Sequence, residues 1–476
     1  MNGAKRRLLA ASLLLATAGC VAAPAHKAPD VDLNIPESWQ QEKSRPVAAP
    51  PAGAWWLTFH NDRLNDIVQD TLAANHDLRA AVARVEQAAA AARMVSADLK
   101  PVVGAGLSAN RQRQNFVGFP IPGQESEILT TTATRFGLSI DVAWEVDLWG
   151  RLRAGARAAL ADFTAAAEDM EAARQSLAAQ AARSWFVVVE AQEQVHLAEQ
   201  TVASRRESAA QVRGRYELGL RPSLDLRLAK STLADAEALV ARRRSRLNGS
   251  VRRLEILMGH YPAGRLLEGS EDVILPTAPP SIPAGLPTDL LERRPDLRAA
   301  ASRFTAAQQR VLVARRALYP RLILTGSGGT VSNQLKDLVK GDFAVWSLLG
   351  GLTQPLFQGG RLRAGVDQAD AGRDETMELY AGTLLRAFAE VEIALVDEGR
   401  LREQEEALTR STAELAAALR LARDRYTRGV GDFLTVLESQ SREFVARSSL
   451  LAVRRERLTN RVDLFLALGG GFGDNS

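Results

Sequence analysis

The side chains that most often carry chemistry are few in this chain of 476 residues, and they lie far apart. The chain has five histidines and one cysteine, Cys20. The histidines show no His-Glu-x-x-His or other paired spacing, and a single thiol completes neither a zinc site nor a disulfide. The glycine-rich segments 104–106 and 326–329 lie at strand starts rather than at strand-to-helix turns, so they do not indicate phosphate loops. We therefore predict a protein that is not an enzyme and has no cofactor.

The one covalent modification that the sequence predicts is at Cys20. Residues 1–19 have a basic start and a short apolar core, which is far below the roughly 20 residues of a membrane-spanning helix and typical of a signal peptide. The small residues before Cys20 resemble a bacterial lipobox, in which the thiol is alkylated by diacylglycerol, although Thr17 stands where leucine is usual. Val21, rather than aspartate, follows the cysteine, which favours an anchor in outer-membrane lipid. The alternative is an ordinary signal peptide with an incidental cysteine.

Composition favours long helices and gives no sign of nucleic-acid binding. The chain is rich in Ala, Leu, Arg and Glu, and aromatic residues make up only 5%. Its 60 basic and 56 acidic residues nearly cancel, leaving a net charge of +4. The basic run 242–246 is accordingly interpreted as a solvated helix face.

The most informative pattern is an internal duplication. The hexapeptide Gly-Arg-Leu-Arg-Ala-Gly occurs at 150–155 and again at 360–365, an offset of 210 residues, and 77–81 returns as 296–300 at an offset of 219. The chain must therefore be interpreted as two similar repeats. The hexapeptides begin with the residues that we expect at the joint between strands and helix, namely Gly150, Arg151, Gly360 and Arg361.

Long proline-free stretches predict two helical hairpins. Residues 151–218 and 361–428 each have the composition of one continuous helix, roughly 100 Å long at 1.5 Å per residue. A short turn follows each, and returning helices are expected to reach about Gly259 and Gly469. Each repeat should open with a helix of about 30 residues that ends before Pro101 or Pro320.

Two segments per repeat alternate apolar and small or polar residues with the period of a strand. They are about 102–113, 134–148, 321–331 and 343–354. Their length suits tilted transmembrane strands, which need about 9–11 residues. The alternative is a half-buried sheet in a soluble protein.

These patterns divide the chain into successive segments. We predict a signal peptide (1–19), a lipidated tether (20–54), a first repeat (55–260), an equatorial linker (261–288), a second repeat (289–470) and a short tail (471–476). Four strands cannot close a barrel, and open sheet edges are not tolerated in hydrocarbon, so several copies would have to share one barrel. The patterns alone leave both a dimer and a trimer open.

The sequence resembles the outer-membrane efflux proteins typified by TolC, and in particular their lipoprotein branch (OprM- and NodT-like). The resemblance covers residues 20 to 470. It rests on motifs in both repeats, namely Trp55-Trp56, Asn75-His76-Asp77-Leu78, Asp147-Leu148-Trp149-Gly150-Arg151, Glu292-Arg293-Arg294-Pro295-Asp296-Leu297, Tyr319-Pro320 and Arg425-Tyr426 with Gly429.

The resemblance implies a mainly α fold with membrane β-structure. It implies a homotrimer whose twelve-stranded barrel in the outer membrane continues as a long α-helical barrel in the periplasm. Such a protein is the exit duct of a tripartite efflux system, and it works with a periplasmic adaptor and an inner-membrane transporter, here of the resistance-nodulation-division type. The alternatives are a type I protein secretion duct and a periplasmic coiled-coil lipoprotein that serves as adaptor or scaffold.

The resemblance also makes the two hairpin turns the candidate functional site, because the family's helix tips meet the adaptor and close the aperture. The residues concerned are Gly219, Arg221, Ser223, Asp225, Gly429, Gly431 and Asp432. A ring of carboxylates, from Asp225 or Asp432, would favour cations at the aperture. The local alternative is that Ser223 and Asp432 are the N-caps of the returning helices.

Overall fold

The computed structural model describes residues 29, 36, 39–40, 54–116, 129–268, 273–280 and 287–470. The predicted signal peptide, Cys20, most of the predicted tether and the tail 471–476 lie outside the described residues. The chain forms two compact units. As far as the structure describes these ranges, one unit comprises residues 86–165 and 301–378, and the other comprises residues 54–85, 166–300 and 379–470.

The first unit contains one antiparallel sheet of four strands in the order β1-β2-β3-β4. The strands are β1 (Val102–Phe116), β2 (Leu129–Val146), β3 (Arg321–Ser332) and β4 (Ala344–Thr353). β2 starts five residues before the predicted position, because its threonine-rich beginning pairs with the far end of β1 although it lacks apolar alternation. The strands from the two repeats thus form a single sheet, in which β2 pairs with β3.

The strand register separates an apolar face of this sheet from a polar one. Ala105, Ile140 and Trp346 lie in one row across the strands, and the side chains of Ile140 and Trp346 are 58% and 83% exposed. In the neighbouring row, Asp141 lies beside Ser327 and points to the opposite face. One face of the sheet therefore offers large uncovered apolar side chains, and the other offers carboxylate and hydroxyl groups.

The helices follow the duplicated pattern. The first repeat contains α1 (Asp62–Ala74), α2 (His76–Ala97), α3 (Arg151–Glu217) and α4 (Ser223–Leu257). The second contains α5 (Leu290–Arg293), α6 (Pro295–Arg316), α7 (Arg361–Thr427) and α8 (Phe433–Ala467). Both α3 and α7 have 67 residues, and both α4 and α8 have 35. No helix in the described ranges combines the length and the apolar character that crossing a bilayer requires.

The expectation of one continuous opening helix in each repeat is wrong, because both are broken. Asn75 separates α1 from α2 with an extended backbone (φ −61°, ψ 131°). Its side-chain oxygen accepts a hydrogen bond from the Leu78 N–H at 3.0 Å and so caps α2. In the second repeat Arg294 separates α5 from α6, and Pro295 follows it. A residue before proline is disfavoured in helical conformation, which explains the break.

The residue at each break also closes its repeat. The Asn75 amide donates a hydrogen bond to the Leu257 carbonyl oxygen at 2.8 Å, and the Arg294 guanidinium donates one to the Ala467 carbonyl oxygen at 3.1 Å. Leu257 and Ala467 are the last residues of α4 and α8. A terminal carbonyl has no partner within its own helix, so the break residue satisfies it. Each returning helix is therefore fixed to the start of its own repeat by the same contact.

Glycines after the returning helices permit this close approach. Gly259 and Gly469 have φ values of +76° and +77°. A Cβ atom on Gly259 would lie 2.6 Å from the Ala74 carbonyl oxygen, and one on Gly469 would lie 3.1 Å from the Arg293 carbonyl oxygen. Both the left-handed backbone and the contact favour glycine here.

An aromatic cluster forms the core beside this closure in the second unit. Trp55 stacks on Phe465 with ring centroids 5.5 Å apart, and Phe59 packs against Phe186 at 5.3 Å. All four side chains are at most 2% exposed. Because Phe465 lies near the end of α8 and Trp55 near the start of the first repeat, the cluster joins the two repeats.

The repeat joints lie where strand gives way to helix in the first unit. Gly150 and Gly360 have φ values of +79° and +84°, which accords with the bends expected there. Arg151 pairs with Glu145 at 2.7 Å, and Arg361 donates a hydrogen bond to the Gln358 side chain at 2.8 Å. Both arginines thus bind the segment immediately before their own helix.

The closing contact predicts the cost of changing Asn75. Replacement of Asn75 by Ala removes the cap of α2 and leaves the Leu257 carbonyl without its donor, so it should destabilise the fold by about 1–3 kcal/mol. Asn75→Ser keeps the capping oxygen but does not reach Leu257, and it should cost less. Loss of helical circular dichroism on heating measures both, and equal losses would contradict the closing role.

The glycine contact predicts a second difference. Gly259→Ala should lower the unfolding temperature more than Gly219→Ala, because both sites have positive φ but only Gly259 would place its Cβ against backbone. A shift of equal size in the same heating experiment would show that the approach to Ala74 contributes nothing.

Candidate functional site

The two hairpin turns end their first helices with the same backbone hydrogen bonds. Gly219 and Gly429 have φ values of +71° and +83°. The N–H of Leu220 donates to the Arg215 carbonyl at 2.8 Å, and the N–H of Val430 donates to the Arg425 carbonyl at 3.0 Å. This six-residue closure with a left-handed glycine is the Schellman motif, so these glycines terminate α3 and α7.

The turns differ where the returning helices begin. The Asp432 carboxylate accepts a hydrogen bond from the Thr435 N–H at 2.7 Å and caps α8, as predicted. The prediction that Ser223 caps α4 is wrong, because Pro222 occupies the N-cap position with φ −74° and ψ 157° and makes no capping hydrogen bond. Ser223 is instead the first helical residue. In the first turn, therefore, α4 begins after a proline with a fixed φ and without a capping side chain.

Two arginines of the first repeat bind the backbone of the second at the tips. Arg215 donates hydrogen bonds to the carbonyl oxygens of Tyr426 at 2.8 Å and Thr427 at 2.6 Å. Arg221 donates to the Gly431 carbonyl at 3.0 Å. The C-terminal carbonyls of α7 carry partial negative charge, so a cation is well placed there. The two hairpins of one chain are thereby fastened together at their tips.

The ring of Tyr426 lies between these arginines. Its centroid is 4.7 Å from the Arg215 guanidinium carbon and 5.1 Å from that of Arg221, both within the range of cation–π attraction. The ring also packs on Phe433 at 5.5 Å, within a buried cluster that includes Val212 and Val436. The guanidinium groups therefore bind beside an apolar core, where their hydrogen bonds are stronger than in water.

The tyrosine hydroxyl is buried, and the charges of Arg215 and Arg221 lie near enough to favour its ionised form. Burial raises the pKa of Tyr426, because the phenolate would lose its hydration. Asp225, in the first turn of α4, lies near enough for its charge to raise that pKa further. Of the two predicted acidic residues, Asp225 is thus the one whose charge acts on Tyr426.

Asp432 has a different environment on the exposed side of the second turn. Hydrogen bonding from the Thr435 backbone holds the pKa of Asp432 below its ordinary value, and the nearby Arg221 charge contributes. Arg221 therefore lies across the two turns, bound to the Gly431 carbonyl and near enough to Asp432 for its charge to act on that carboxylate. The carboxylate remains charged and accessible to cations at neutral pH.

The sequence argument did not identify the fastening residues Arg215, Tyr426 and Phe433. The Arg-Tyr pair recurs at 215–216 and 425–426, but recurrence alone indicates only the duplication. The three-dimensional contacts show that Arg215 meets the second-repeat tyrosine, Tyr426. An arginine seven residues before the turn proline would have been the usable signal.

The tips carry apolar and charged groups rather than a reactive constellation. Exposed apolar side chains surround the turns, namely Leu218, Leu220, Leu224, Val430 and Leu434. Among the described residues no group of three or more His, Cys, Asp or Glu side chains is arranged to hold a metal ion. The geometry is thus suited to protein contacts and to an electrostatic constriction.

Comparison with known proteins agrees with this fold. The family model described as outer membrane efflux protein matches residues 67–260 and 286–470. The chain is 33% identical to the outer membrane protein OprJ of Pseudomonas aeruginosa over 98% of this chain and 96% of that protein. It is 31% identical to the toluene efflux pump outer membrane protein TtgF of Pseudomonas putida over 99% and 98%.

Solved structures show the same fold. The outer-membrane channel OprN matches with a TM-score of 0.85 and 28% identity, over 95% of this chain and all of that one. The Campylobacter jejuni CmeC outer membrane channel matches with a TM-score of 0.86 and 26% identity, over 96% of each chain. The fold is thus that of the TolC-like outer-membrane channels, and this chain belongs to the outer membrane efflux protein family.

Proposed function

We propose that this chain is the exit duct of a tripartite efflux system, through which small toxic compounds or drugs pass passively to the exterior. The observation that carries the proposal is the combination of a two-faced sheet with fastened helical tips in one chain of this family. The energy for transport would come from an inner-membrane transporter, and the duct itself would contribute opening and closing at the tips.

The sheet supports assembly as a homotrimer. β1 and β4 are the outer strands of the sheet, and neither pairs on its outer edge within the described residues. Such edges must find partners in hydrocarbon, so copies would join edge to edge. Three copies of four strands give twelve, and the apolar face with Trp346 would meet lipid while Asp141 and Ser327 line the interior.

Cys20 would add a lipid anchor in the outer membrane. Its predicted acylation follows from the sequence before it, and several acyl chains on one residue give durable attachment. The helical hairpins would then extend into the periplasm.

The tips would be the contact with a periplasmic adaptor. The exposed side chains of Leu218, Leu220 and Val430 lie around turns that hydrogen bonds already fix in place. A rigid tip with uncovered apolar groups suits docking to another protein. The inner-membrane partner would be a transporter of the resistance-nodulation-division type.

The duct proposal predicts a conducting, oligomeric protein. Full-length protein in detergent should migrate as a heat-modifiable oligomer and should produce discrete conductance steps in planar bilayers. Denatured protein is the control for both measurements. A strictly water-soluble monomer after removal of the lipid would contradict the duct and favour a periplasmic scaffold.

The aperture charge can be separated from the helix cap at Asp432. Asp432→Asn keeps a capping oxygen and removes the charge, whereas Asp432→Ala removes both. If the carboxylates set ion preference, both variants should weaken the closed channel's preference for cations, and only the alanine variant should also lower thermal stability. Reversal potentials in a salt gradient measure the preference for cations. Unchanged values in both variants would show that Asp432 acts only as a helix cap.

The depressed pKa of Asp432 gives this preference a pH dependence. The carboxylate stays charged as the pH falls through the ordinary titration range of aspartate, so cation preference should persist in mildly acidic buffer. Its cap contributes stability above the unfolded-state pKa, and that contribution is lost as the pH falls through the lower folded-state value. Loss of preference already near pH 5 would contradict the assignment to Asp432.

A further inference from the structure

Within one chain, α3 of the first repeat packs lengthwise on α8 of the second, and we call this contact the α3–α8 seam. The Gln440 amide donates hydrogen bonds to the hydroxyls of Ser204 at 3.2 Å and Ser208 at 3.1 Å. Arg447 donates one to the Gln200 side-chain oxygen at 3.1 Å. The seam is antiparallel, and Gln440 is only 4% exposed.

The duplication gives every residue of this seam a counterpart 210 positions away. An offset of +210 carries α3 onto α7, and an offset of −210 carries α8 onto α4. The counterparts of Ser204, Gln440, Gln200 and Arg447 are, in that order, Glu414, Lys230, Arg410 and Glu237. The pairs Ser204–Gln440 and Gln200–Arg447 therefore correspond to pairs of opposite charges, whereas Ser208, the second partner of Gln440, corresponds to the uncharged Ala418.

The counterpart face lies open within the chain. Lys230, Glu414 and Arg410 are exposed, and in the part of the chain that the structure describes none of them forms an ion pair. Glu237 is also exposed and pairs with Arg206 across its own hairpin at 3.2 Å. The face that is covered on α3 and α8 is thus exposed on α7 and α4. It carries complementary charges at equivalent positions along these two helices.

The tips repeat this relation. Arg215 binds over the Tyr426 ring within the chain, with a distance of 4.7 Å from guanidinium carbon to centroid. The counterparts are Arg425 and Tyr216, which are exposed, with Tyr216 at 42%. The second arginine and the first tyrosine are therefore available for the same contact with another molecule.

We propose that α7 of one copy packs on α4 of the next copy in the register of the α3–α8 seam. Glu414 then faces Lys230, Arg410 faces Glu237, and Arg425 lies over Tyr216 of the neighbouring copy. We call this contact the α7–α4 seam. The proposal rests on the assembly of copies under the proposed function, and it specifies which residues of the helical hairpins meet.

A second copy of this chain is the occupant that the surface fits. The face on α4 is complementary to α7 for the same reason that α8 is complementary to α3, and only another copy supplies that face in the correct order. Such head-to-tail contacts generate a ring when the rotation closes. Two similar repeats per chain then produce alternating seams of the two kinds.

The two seams differ in chemistry. Near the tips, hydrogen bonds of the buried Gln440 contribute to the α3–α8 seam, whereas ion pairs hold the α7–α4 seam, so salt should weaken the second more than the first. The ionic match is confined to the half nearer the tips. Farther along, the pair Arg183 and Asp463 corresponds to Ile393 and Arg253, which carry no opposite charges.

Cysteine cross-linking tests the register in the full-length protein. The variant with Lys230→Cys and Glu414→Cys, treated with a short bis-maleimide, should give covalent dimers and larger oligomers on denaturing gels. The matched control with Ser204→Cys and Gln440→Cys should cross-link within the chain, without an increase in mass. Lys230→Cys with Glu403→Cys, on the same helix face about 16 Å away, should give no oligomer.

Charge reversal tests the same pair without a reagent. Lys230→Glu or Glu414→Lys alone should lower the temperature at which the detergent-solubilised oligomer dissociates, and the double exchange should restore it. Raised salt should reduce the difference between the single variants and the unmodified protein. No rescue by the double exchange would contradict the pairing.

The outcomes distinguish this proposal from the one on which it rests. An oligomer by light scattering that does not cross-link through positions 230 and 414 would overturn the register and leave the duct intact. A protein that is monomeric in detergent would overturn both proposals. Cross-linking at 230 and 403 instead of 230 and 414 would show a seam with a different register.

Discussion

The structure depends on one constraint, which is that a long hairpin must end against something that satisfies its final carbonyl groups. Asn75 and Arg294 meet this need in the two repeats, and each does so because its own helix is broken at that residue. The break costs helical hydrogen bonds but supplies a cap and a donor at the same place. These closures therefore fix the ends of the two returning helices.

The second closure is more demanding than the first because it buries a charge. Arg294 is 8% exposed and pairs with Asp296 at 2.8 Å and Glu390 at 2.6 Å. Burial alone would lower the pKa of its guanidinium, but the two carboxylates hold that pKa above its ordinary value. Removing one partner of a buried ion pair strongly destabilises a protein, because the remaining charge is left buried and unpaired. The duplicated fold thus performs the same task with an amide in one repeat and a paired cation in the other.

The duplication, the helix lengths and the strands could be predicted from the sequence because each rests on a period or on the absence of proline. The break at Asn75 could not, because residues 76–81 continue the helical pattern and the reason for the break is a distant carbonyl. The N-cap of α4 is Pro222 rather than the predicted Ser223. A serine next to a proline does not show which of the two residues is the last one before the helix. Contacts between the repeats, such as that of Arg215 with Tyr426, could not be predicted. The similarity of the repeats does not show which residues of one contact which residues of the other.

If neighbouring copies meet through the proposed α7–α4 seam, each chain's two tips would move together. Within a chain, separating them would break three backbone hydrogen bonds from Arg215 and Arg221 and expose the cluster around Tyr426. Between copies, the proposed contacts are two ion pairs, each worth about 0–1 kcal/mol, and the contact of Arg425 with the Tyr216 ring. Opening therefore costs less when neighbouring copies part than when the hairpins of one chain separate. A duct built from duplicated chains gains from this difference, because the weaker contacts alternate with stronger ones and the aperture can widen without unfolding any tip.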